Sequence, residues 1–193
     1  MNPLKEKFLD FKTLNQYTFK YLLLDGNTIC YKITQQQFPH LIGLHKLVDI
    51  PLILKFNDPT NSTISASFIL SKIKKEELTD ADIRASRFYA TIQNRYEYLS
   101  REAILSLSFN EVIVDFDNTK VATKLNSQYI FIESRDSGYL HLGITKHNDE
   151  YYPETFFFDS TDYYSRNQKV VKIKAIQIFD ERNTLQLEEV LIQ

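Results

Sequence analysis

Cysteine, tryptophan and glycine are scarce in this chain, and each scarcity narrows what the protein can be. The 193 residues include one cysteine, Cys30, no tryptophan and four glycines. A single cysteine excludes an internal disulfide framework and a thiolate-rich zinc site. The glycine-rich patterns GxGxxG and GxxxxGK[ST] are both missing, which argues against dinucleotide and nucleoside triphosphate chemistry.

Long apolar runs and a strong net charge are missing too. No segment reaches 18 apolar residues, and charged residues interrupt the first 14, so neither a membrane span nor a signal peptide is predicted. The formal net charge of −2 excludes a uniformly basic nucleic-acid-binding protein. It still allows a local basic cleft. We expect a cytoplasmic protein in a reducing compartment, with no membrane partner and no cofactor.

The residues that are abundant predict one α+β domain spanning 1–193. Hydrophobic residues make up 43% of the chain and include 12 Tyr and 14 Phe, enough for a substantial core. The predicted order is an N-terminal helix and β-hairpin, a helical middle, and a C-terminal antiparallel β-meander packed on helices. Helices are predicted at 4–14, 38–47, 65–75 and 79–98, the hairpin turns at Asp25-Gly26, and strands are predicted at 112–116, 121–123, 128–135, 138–145, 151–158 and 169–179.

The stretch 38–47, Phe-Pro-His-Leu-Ile-Gly-Leu-His-Lys-Leu, concentrates groups that can do chemistry. Histidine exchanges a proton near neutral pH, and lysine can hold a developing negative charge. On a regular helix His40 and His45 are about 140° apart, so at most one imidazole would enter any one pocket beside Lys46. The alternative is one core histidine bonded to a backbone carbonyl and one histidine at a helix start.

Strand alternation predicts a sheet with two different faces. One face would be apolar and covered by helices, and the other would mix aromatic and cationic side chains that can stack on bases and hold phosphate. The alternative is a face covered by the remaining helices, with tyrosine hydroxyls satisfied at its edge. The predicted polar face carries Tyr129, Phe131, Glu133, Arg135, Tyr139, His141, Lys172 and Lys174.

Three further candidates, Thr155, Arg84 and Arg87, lie outside that face. Thr155 shares the parity of Tyr151 and Phe157 on the strand that follows. Arg84 and Arg87 lie near one line with Arg95 on the predicted helix 79–98, either as a solvated surface or as phosphate contacts. The four histidines show no HxH or HExxH spacing, so no metal site is predicted.

Three motifs carry a resemblance to a known family: the 38–47 run, the stretch Arg135-Asp136 to Tyr139-Leu140-His141-Leu142-Gly143, and Tyr152-Pro153-Glu154-Thr155-Phe156-Phe157. Over about residues 17–180 the chain resembles the phage-associated barnase–EndoU–colicin–RelE-like (PBECR) nuclease domains, in particular the fourth type. The resemblance implies a metal-independent endoribonuclease, a toxin or phage–host conflict effector. In such enzymes the ribose 2′-hydroxyl attacks the adjacent phosphate and leaves a 2′,3′-cyclic phosphate.

Carried onto this chain, the resemblance implies a role for each candidate. His45 or His40 would be the base or the acid, Lys46 and Arg135 the phosphate clamps, and Thr155 a phosphate-bonding hydroxyl. Tyr139 and His141 would serve base stacking and proton transfer. The sheet face and the arginine line described above, and not the resemblance, add Lys172, Lys174, Arg84 and Arg87 as predicted substrate contacts. The expected partners are RNA, with tRNA among the candidates, and an inhibitor or antitoxin protein. The alternative function is a non-catalytic phage or mobile-element protein that uses the same fold to bind a host protein or nucleic acid.

Overall fold

The computed structural model describes residues 2–56, 58, 60, 63–105 and 109–192. Its contacts divide the chain into two compact units. The first unit comprises Met1–Leu14 and Thr34–Glu102, and the second comprises Asn15–Ile33 and Ala103–Gln193. The prediction of one domain over 1–193 stays a prediction. Among the described residues, no helix is both long and apolar enough to cross a membrane.

The α+β class and the order of its elements are confirmed: an N-terminal helix, a hairpin, a helical middle and a C-terminal meander. The described helices are α1 (Pro3–Lys12), α2 (Phe38–Leu41), α3 (Ala66–Lys74), α4 (Asp80–Ala85), α5 (Gln93–Tyr98) and α6 (Arg101–Leu105). The described strands are β1 (Thr18–Leu23), β2 (Thr28–Lys32), β3 (Glu111–Val114), β4 (Tyr129–Arg135), β5 (Gly138–His147), β6 (Glu150–Asp159), β7 (Val170–Phe179) and β8 (Leu185–Val190).

Helix α1 organises the core of the first unit. The Asn2 side chain accepts a hydrogen bond from the Leu4 N–H, and proline occupies the first helical position, a combination that favours a helix start. The apolar spacing then buries one face of the helix. Phe8 and Phe11 lie on that face with their ring centroids 5.5 Å and 5.3 Å from the ring of Phe38, which begins α2. The stretch 38–47 is therefore anchored to α1 by aromatic packing.

The predicted helix 79–98 is wrong as one continuous element. A capping box between Thr79 and Asp82 starts α4, but the backbone at Ser86 is extended, with φ −62° and ψ 134°. The Ser86 hydroxyl donates to Asp49 Oδ1 at 2.6 Å, and the Arg87 N–H donates to Asp49 Oδ2 at 3.0 Å. Asp49, which is distant in the sequence, thus accepts hydrogen bonds from the Ser86 hydroxyl and the Arg87 N–H at the helix break. Helix α4 therefore ends before Ser86, and the next α-helix is α5.

The strands of the second unit form an antiparallel sheet in the order β2-β1-β7-β3-β4-β5-β6, with β8 also paired to β7. The predicted hairpin at Asp25-Gly26 is confirmed as β1 and β2. The meander runs from β3 to β6. Strand β7 pairs with β1 of the hairpin on one side and with β3 of the meander on the other, so it joins the hairpin to the meander. The prediction of a strand at 121–123 is wrong. No strand was predicted at β8, whose six residues are all exposed and so lack a buried apolar pattern.

The buried rings of Tyr21 and Tyr31 stack at 5.7 Å, and both contact Phe131 of β4. Their hydroxyls lie 3.2 Å apart and form one hydrogen bond, which pairs two polar groups inside the apolar core. Burial raises the pKa of Tyr21 to about 12. These tyrosines are thus structural, and both stay protonated at neutral pH.

Replacing Gly138 by alanine is expected to destabilise the sheet strongly. Gly138 has φ +147°, and an added Cβ would lie 2.2 Å from the backbone oxygen of Asp159. We expect the free energy of unfolding to fall by about 3 kcal/mol, measured by urea denaturation. Gly26→Ala is the matched control, because Gly26 (φ +88°) has open space around its Cβ position and should cost only about 1–2 kcal/mol of backbone strain. Equal losses in the two variants would contradict the steric argument.

Candidate functional site

The stretch 38–47 is not the regular helix that its sequence predicts. Helix α2 ends at Leu41, and Gly43 takes the left-handed conformation with φ +84°. A short 3₁₀ turn, Leu44–Lys46, follows and is closed by the Lys46 N–H donating to the Gly43 carbonyl at 2.9 Å. Glycine adopts this backbone without a Cβ penalty, so the two histidines occupy two different turns.

The break brings the two imidazoles together. The ring centroids of His40 and His45 are 5.6 Å apart, and the ring of His40 also lies 4.4 Å from that of Phe56. The regular helix, on which the two side chains would point to different pockets, is therefore wrong as a prediction. It assumed a uniform rotation per residue, and a single left-handed residue redirects the chain and cancels that rotation.

The charges around the imidazole pair are positive. Burial, followed by the nearby charges of His40, Arg95 and Lys46, lowers the pKa of His45 to about 4. Burial also lowers the pKa of His40, and partial desolvation together with Arg95 lowers the pKa of Lys46, an otherwise exposed residue. The His45 Nδ1 atom is buried and has no hydrogen-bond partner among the described residues. His45 is consequently neutral at pH 7, and the pKa of His40 also lies below that of an ordinary histidine.

Arg95 belongs to this cluster; the sequence placed it near one line with Arg84 and Arg87, either as a solvated surface or as phosphate contacts, but only Arg84 and Arg87 were named as predicted site residues. A Cβ added at Gly43 would lie 2.7 Å from Ile92 Cγ2 and 3.1 Å from Arg95 Cδ. The stem of Arg95 thus rests beside the peptide that joins the two histidine-bearing turns. A second sequence signal for this close approach is the glycine between two histidines in a predicted helix, which marks either a helix end or a close approach of another segment.

Arg84 and Arg87, the arginines that the sequence did single out, face carboxylates instead. Arg84 Nε lies 2.9 Å from Asp80 Oδ2, and Arg84 Nη1 donates to the Tyr89 hydroxyl at 2.9 Å. Arg87 is 75% exposed and lies 4.0 Å from Asp49. Arg84 is therefore held in a local network on α4. Arg87 is a solvated surface cation, which agrees with the solvated-surface alternative that the sequence offered for these arginines.

The strand register changes the predicted faces of the sheet. Residues that pair across antiparallel strands share a face, and the β4–β5 pairing sets Phe131 opposite Leu142 and Ile132 opposite His141. One face therefore carries the row Lys172, Glu111, Ile132, His141 and Phe157, and the other carries the row Val171, Val112, Phe131, Leu142 and Phe156. The prediction that Arg135 and Glu133 share a face with Tyr139 and His141 is wrong, because the register differs by one residue from the one assumed.

Arg135 and Thr155 consequently lie on opposite faces. Arg135 Nη2 is 2.8 Å from Glu133 Oε1, on the same strand and face. Thr155 is buried and pairs with Gly143, where an added Cβ would lie 2.5 Å from Thr155 Cγ2. Lys172 shares the face of His141, and both Lys172 and Lys174 are exposed. The sheet therefore does not assemble Arg135 and Thr155 into one site.

His141 is enclosed by aromatic rings. It is 1% exposed, its ring stacks on Phe157 at 4.7 Å, and the rings of Tyr164 and Tyr139 lie at 5.8 Å and 6.4 Å. Neither imidazole nitrogen has a hydrogen-bond partner among the described residues, and burial lowers the pKa to about 4. Tyr139 packs beside it against the buried cluster of Ile113, Ile130 and Ile132. This enclosure leaves no room for His141 to stack on a base without rearrangement, whereas Tyr139 is partly exposed.

The sequence-predicted site residues fall in both units. His40, His45, Lys46, Arg84 and Arg87 lie in the first, while Arg135, Tyr139, His141, Thr155, Lys172 and Lys174 lie in the second. The prediction that His45, Lys46, Arg135 and Thr155 line one cleft is wrong for Arg135 and Thr155, which lie on opposite faces of the sheet; a cleft that joins His45 and Lys46 to either of them stays a prediction. A groove of about 360 Å³ in the second unit contains none of the predicted site residues. Its lining includes Thr18, Thr28, Cys30, Lys32, Glu150 and Tyr151.

In the described part of the chain, no three His, Cys, Asp or Glu side chains are grouped so that they could hold a metal ion.

Comparison with known proteins places the chain in a class of phage-associated nucleases. The family model described as phage-Barnase-EndoU-ColicinE5/D-RelE like nuclease4 (PBECR4) matches residues 4–193, and the chain belongs to this family. The resemblance noted in the sequence is thereby confirmed, over a longer region than the motifs covered. Neither the curated proteins nor the solved structures gave a match. The family supports a nuclease of the barnase–EndoU–colicin–RelE type, and hence an enzyme.

The burial of His141 predicts a loss of stability in mild acid. The unfolded imidazole takes up a proton near its ordinary pKa of 6.5, whereas the folded imidazole stays neutral down to about pH 4. Stability should therefore fall as the pH drops from 6.5 towards 4. His141→Phe should remove about 2 kcal/mol of the loss between pH 7.5 and pH 5, measured by urea denaturation at both pH values. Identical pH dependence in the wild-type protein and this variant would contradict the assignment.

Proposed function

We propose that the protein is an endoribonuclease that needs no metal ion and that uses His40 and His45 as its acid and base. The observation that carries the proposal is the 5.6 Å separation of the two imidazole centroids inside a cationic cluster. A base and an acid must each reach a different oxygen of one phosphate group, at about 2.6–3.2 Å. Two imidazoles at this separation are close enough to each other to serve one phosphodiester, and the family supports a nuclease reaction.

The chemistry divides between the two rings. His45, neutral at pH 7 because of its lowered pKa, takes the proton of the ribose 2′-hydroxyl as the oxygen bonds to phosphorus. His40 in its protonated form gives a proton to the 5′-oxygen as the bond from phosphorus to that oxygen breaks. The products are a 2′,3′-cyclic phosphate and a 5′-hydroxyl. The Lys46 ammonium, beside His45, stabilises the added negative charge of the pentavalent intermediate.

The other predicted catalytic residues carry no step in this proposal. Arg135 pairs with Glu133, and Thr155 is buried on the opposite face of the sheet. His141 is enclosed by aromatic rings.

As an RNA-cleaving member of a phage-associated family, the protein would act as a toxin or as an effector in phage–host conflict. RNA, including tRNA, is its proposed partner, together with an inhibitor protein that restrains it.

Substitution of either histidine is expected to abolish most of the activity. His40→Asn and His45→Asn should each lower the cleavage rate by about 10²–10⁴-fold, because each removes one of the two proton transfers. The assay incubates the purified chain with bacterial tRNA and ribosomal RNA, in chelator and without it. It scores 2′,3′-cyclic phosphate ends and the resistance of substrates that carry a 2′-deoxy residue at the cleaved position.

His147→Asn is the matched control, because His147 ends β5 and is exposed. It should cleave RNA at the wild-type rate. Intact RNA with the wild-type chain, or equal cleavage by the wild-type chain and the His40 and His45 variants, would overturn the proposal. A chain that leaves RNA intact but binds a host protein or nucleic acid stoichiometrically, with the histidine variants binding equally, would support the non-catalytic alternative.

A further inference from the structure

Strand β8, which is paired to one side of β7, is exposed to solvent on both of its faces. All six of its residues, Leu185–Val190, are exposed. The strand pairs with β7, and no other described strand pairs with its outer edge. In an antiparallel pair, alternate residues of an edge strand point their N–H and C=O groups away from the neighbouring strand. The outer edge of β8 therefore presents unpaired donors and acceptors to solvent.

Large apolar side chains lie along this exposed strand. Leu185 is 45% exposed, Leu187 is 41% exposed and Val190 is 55% exposed. Leu187 pairs with the buried Ile178 of β7, so an apolar row of the sheet continues from its covered part onto β8. Lysine, proline or a covering segment commonly protects a free edge from pairing with another chain. Strand β8 has neither residue, and its exposure shows that no described segment covers it.

The charges on and beside β8 are mainly negative. Glu188 and Glu189 lie on the strand, and Asp180 and Glu181 lie in the turn before it, where Arg182 is the single cation. These carboxylates repel the phosphates of a nucleic acid. They also disfavour a second copy of β8, because two copies would bring their glutamates into one strand pair. A basic strand has the complementary charge.

We propose that the outer edge of β8 is a docking site for a basic, extended segment of another protein, which adds to the sheet as a further strand. The backbone of the segment pairs with the free N–H and C=O groups of β8, as in other cases of β-strand addition. Its cationic side chains pair with Glu188 and Glu189, and its apolar side chains cover Leu187 and Val190. The proposed cleavage reaction does not use this surface, so the inference goes beyond the proposed function.

The sequence of β8 defines the pattern that the docked segment needs. Side chains alternate between the faces of a strand, so Leu187 and Glu189 share one face and Glu188 and Val190 share the other. Each face thus offers one apolar and one acidic side chain. Residues that pair across strands lie on the same face. The segment that matches positions 187–190 therefore reads apolar, basic, basic, apolar, and this order is the same in either strand direction.

The probe for this inference is the capped peptide Val-Lys-Lys-Val-Thr-Val, which carries the matching pattern. The permuted peptide Lys-Val-Val-Lys-Thr-Val is its control, because it has the same composition and charge but sets lysine against Val190 and Leu187. Binding to the full chain is followed by NMR titration, which detects Kd values up to the millimolar range. The matching peptide should bind about tenfold more tightly than the permuted one, since both ion pairs and both apolar contacts depend on the order.

The location of binding is read from the backbone amides. The matching peptide should shift the amide resonances of β8 and slow the hydrogen exchange of its outward-pointing amides by about tenfold or more at saturation. A third peptide, in which the matching sequence is N-methylated at alternate residues, cannot donate hydrogen bonds along one edge. Methylation along the pairing edge should abolish binding, whereas methylation along the other edge should leave it unchanged.

Charge reversal on the chain tests the acidic side of the contact. Glu189→Lys should weaken binding of the matching peptide about fivefold, because it replaces an attraction by a repulsion. Glu150→Lys is the matched control, since Glu150 is an exposed glutamate at the start of β6, the edge strand at the other end of the sheet, and it should bind as the wild-type chain does. The double variant Glu188→Lys with Glu189→Lys should prefer the acidic peptide Val-Glu-Glu-Val-Thr-Val. All these side chains are exposed, so the variants keep the fold.

Three outcomes would overturn the inference. The first is no peptide binding, equal binding of the matching and permuted peptides, or amide shifts that lie outside β8. The second is a dimer of the wild-type chain that forms through β8, which would assign the edge to a second copy. The third is a set of RNA-induced shifts on β8, which would assign it to a nucleic acid. None of these readouts requires RNA cleavage, so failure of the proposed ribonuclease leaves the test of this edge intact.

Discussion

The close approach of α5 to Gly43 is the constraint on which the candidate site depends. Ile92 and Arg95 come so near that no side chain fits at position 43, and the backbone there has φ +84°. The left-handed residue ends α2 and starts a new turn, which brings His45 beside His40. One glycine therefore sets the spacing of the imidazoles and admits the arginine that charges their surroundings. Its contribution lies in backbone conformation and in the volume that it leaves empty.

The surroundings of a histidine decide whether its lowered pKa indicates a catalytic or a structural role, as the partly buried His45 and the buried His141 illustrate. His45 and His141 both have their pKa lowered to about 4. Around His45 the cause is burial followed by the charges of His40, Arg95 and Lys46, so part of the shift depends on the charges nearby. Around His141 the cause is burial among aromatic rings, and no arriving charge can reverse it without opening the fold. A depressed pKa marks a functional candidate only where its cause can respond to a ligand.

In the second unit, the register of β4 and β5 decides which side chains can act together. The alternation along each strand could be read from the sequence, and five of the six predicted C-terminal strands are present. The sequence did not show which parity of one strand lies beside which parity of the next, because both strands carry aromatic and polar residues on each parity. A one-residue difference moved Arg135 away from His141 and Thr155.

The α+β class, the hairpin at Asp25-Gly26, the first helix from about Leu4, the helix start at Thr79 and the resemblance to the nuclease family all follow from local pattern, because each depends on neighbouring residues or on motifs. The sequence also marked His40, His45 and Lys46 as groups capable of proton transfer and charge stabilisation. Only the tertiary structure decided that the helix breaks at Ser86, where the distant Asp49 satisfies the freed groups. It likewise decided that the imidazoles meet and that Arg95, from another helix, joins them. Contacts between residues far apart in the chain set these features, and no local spacing encodes them.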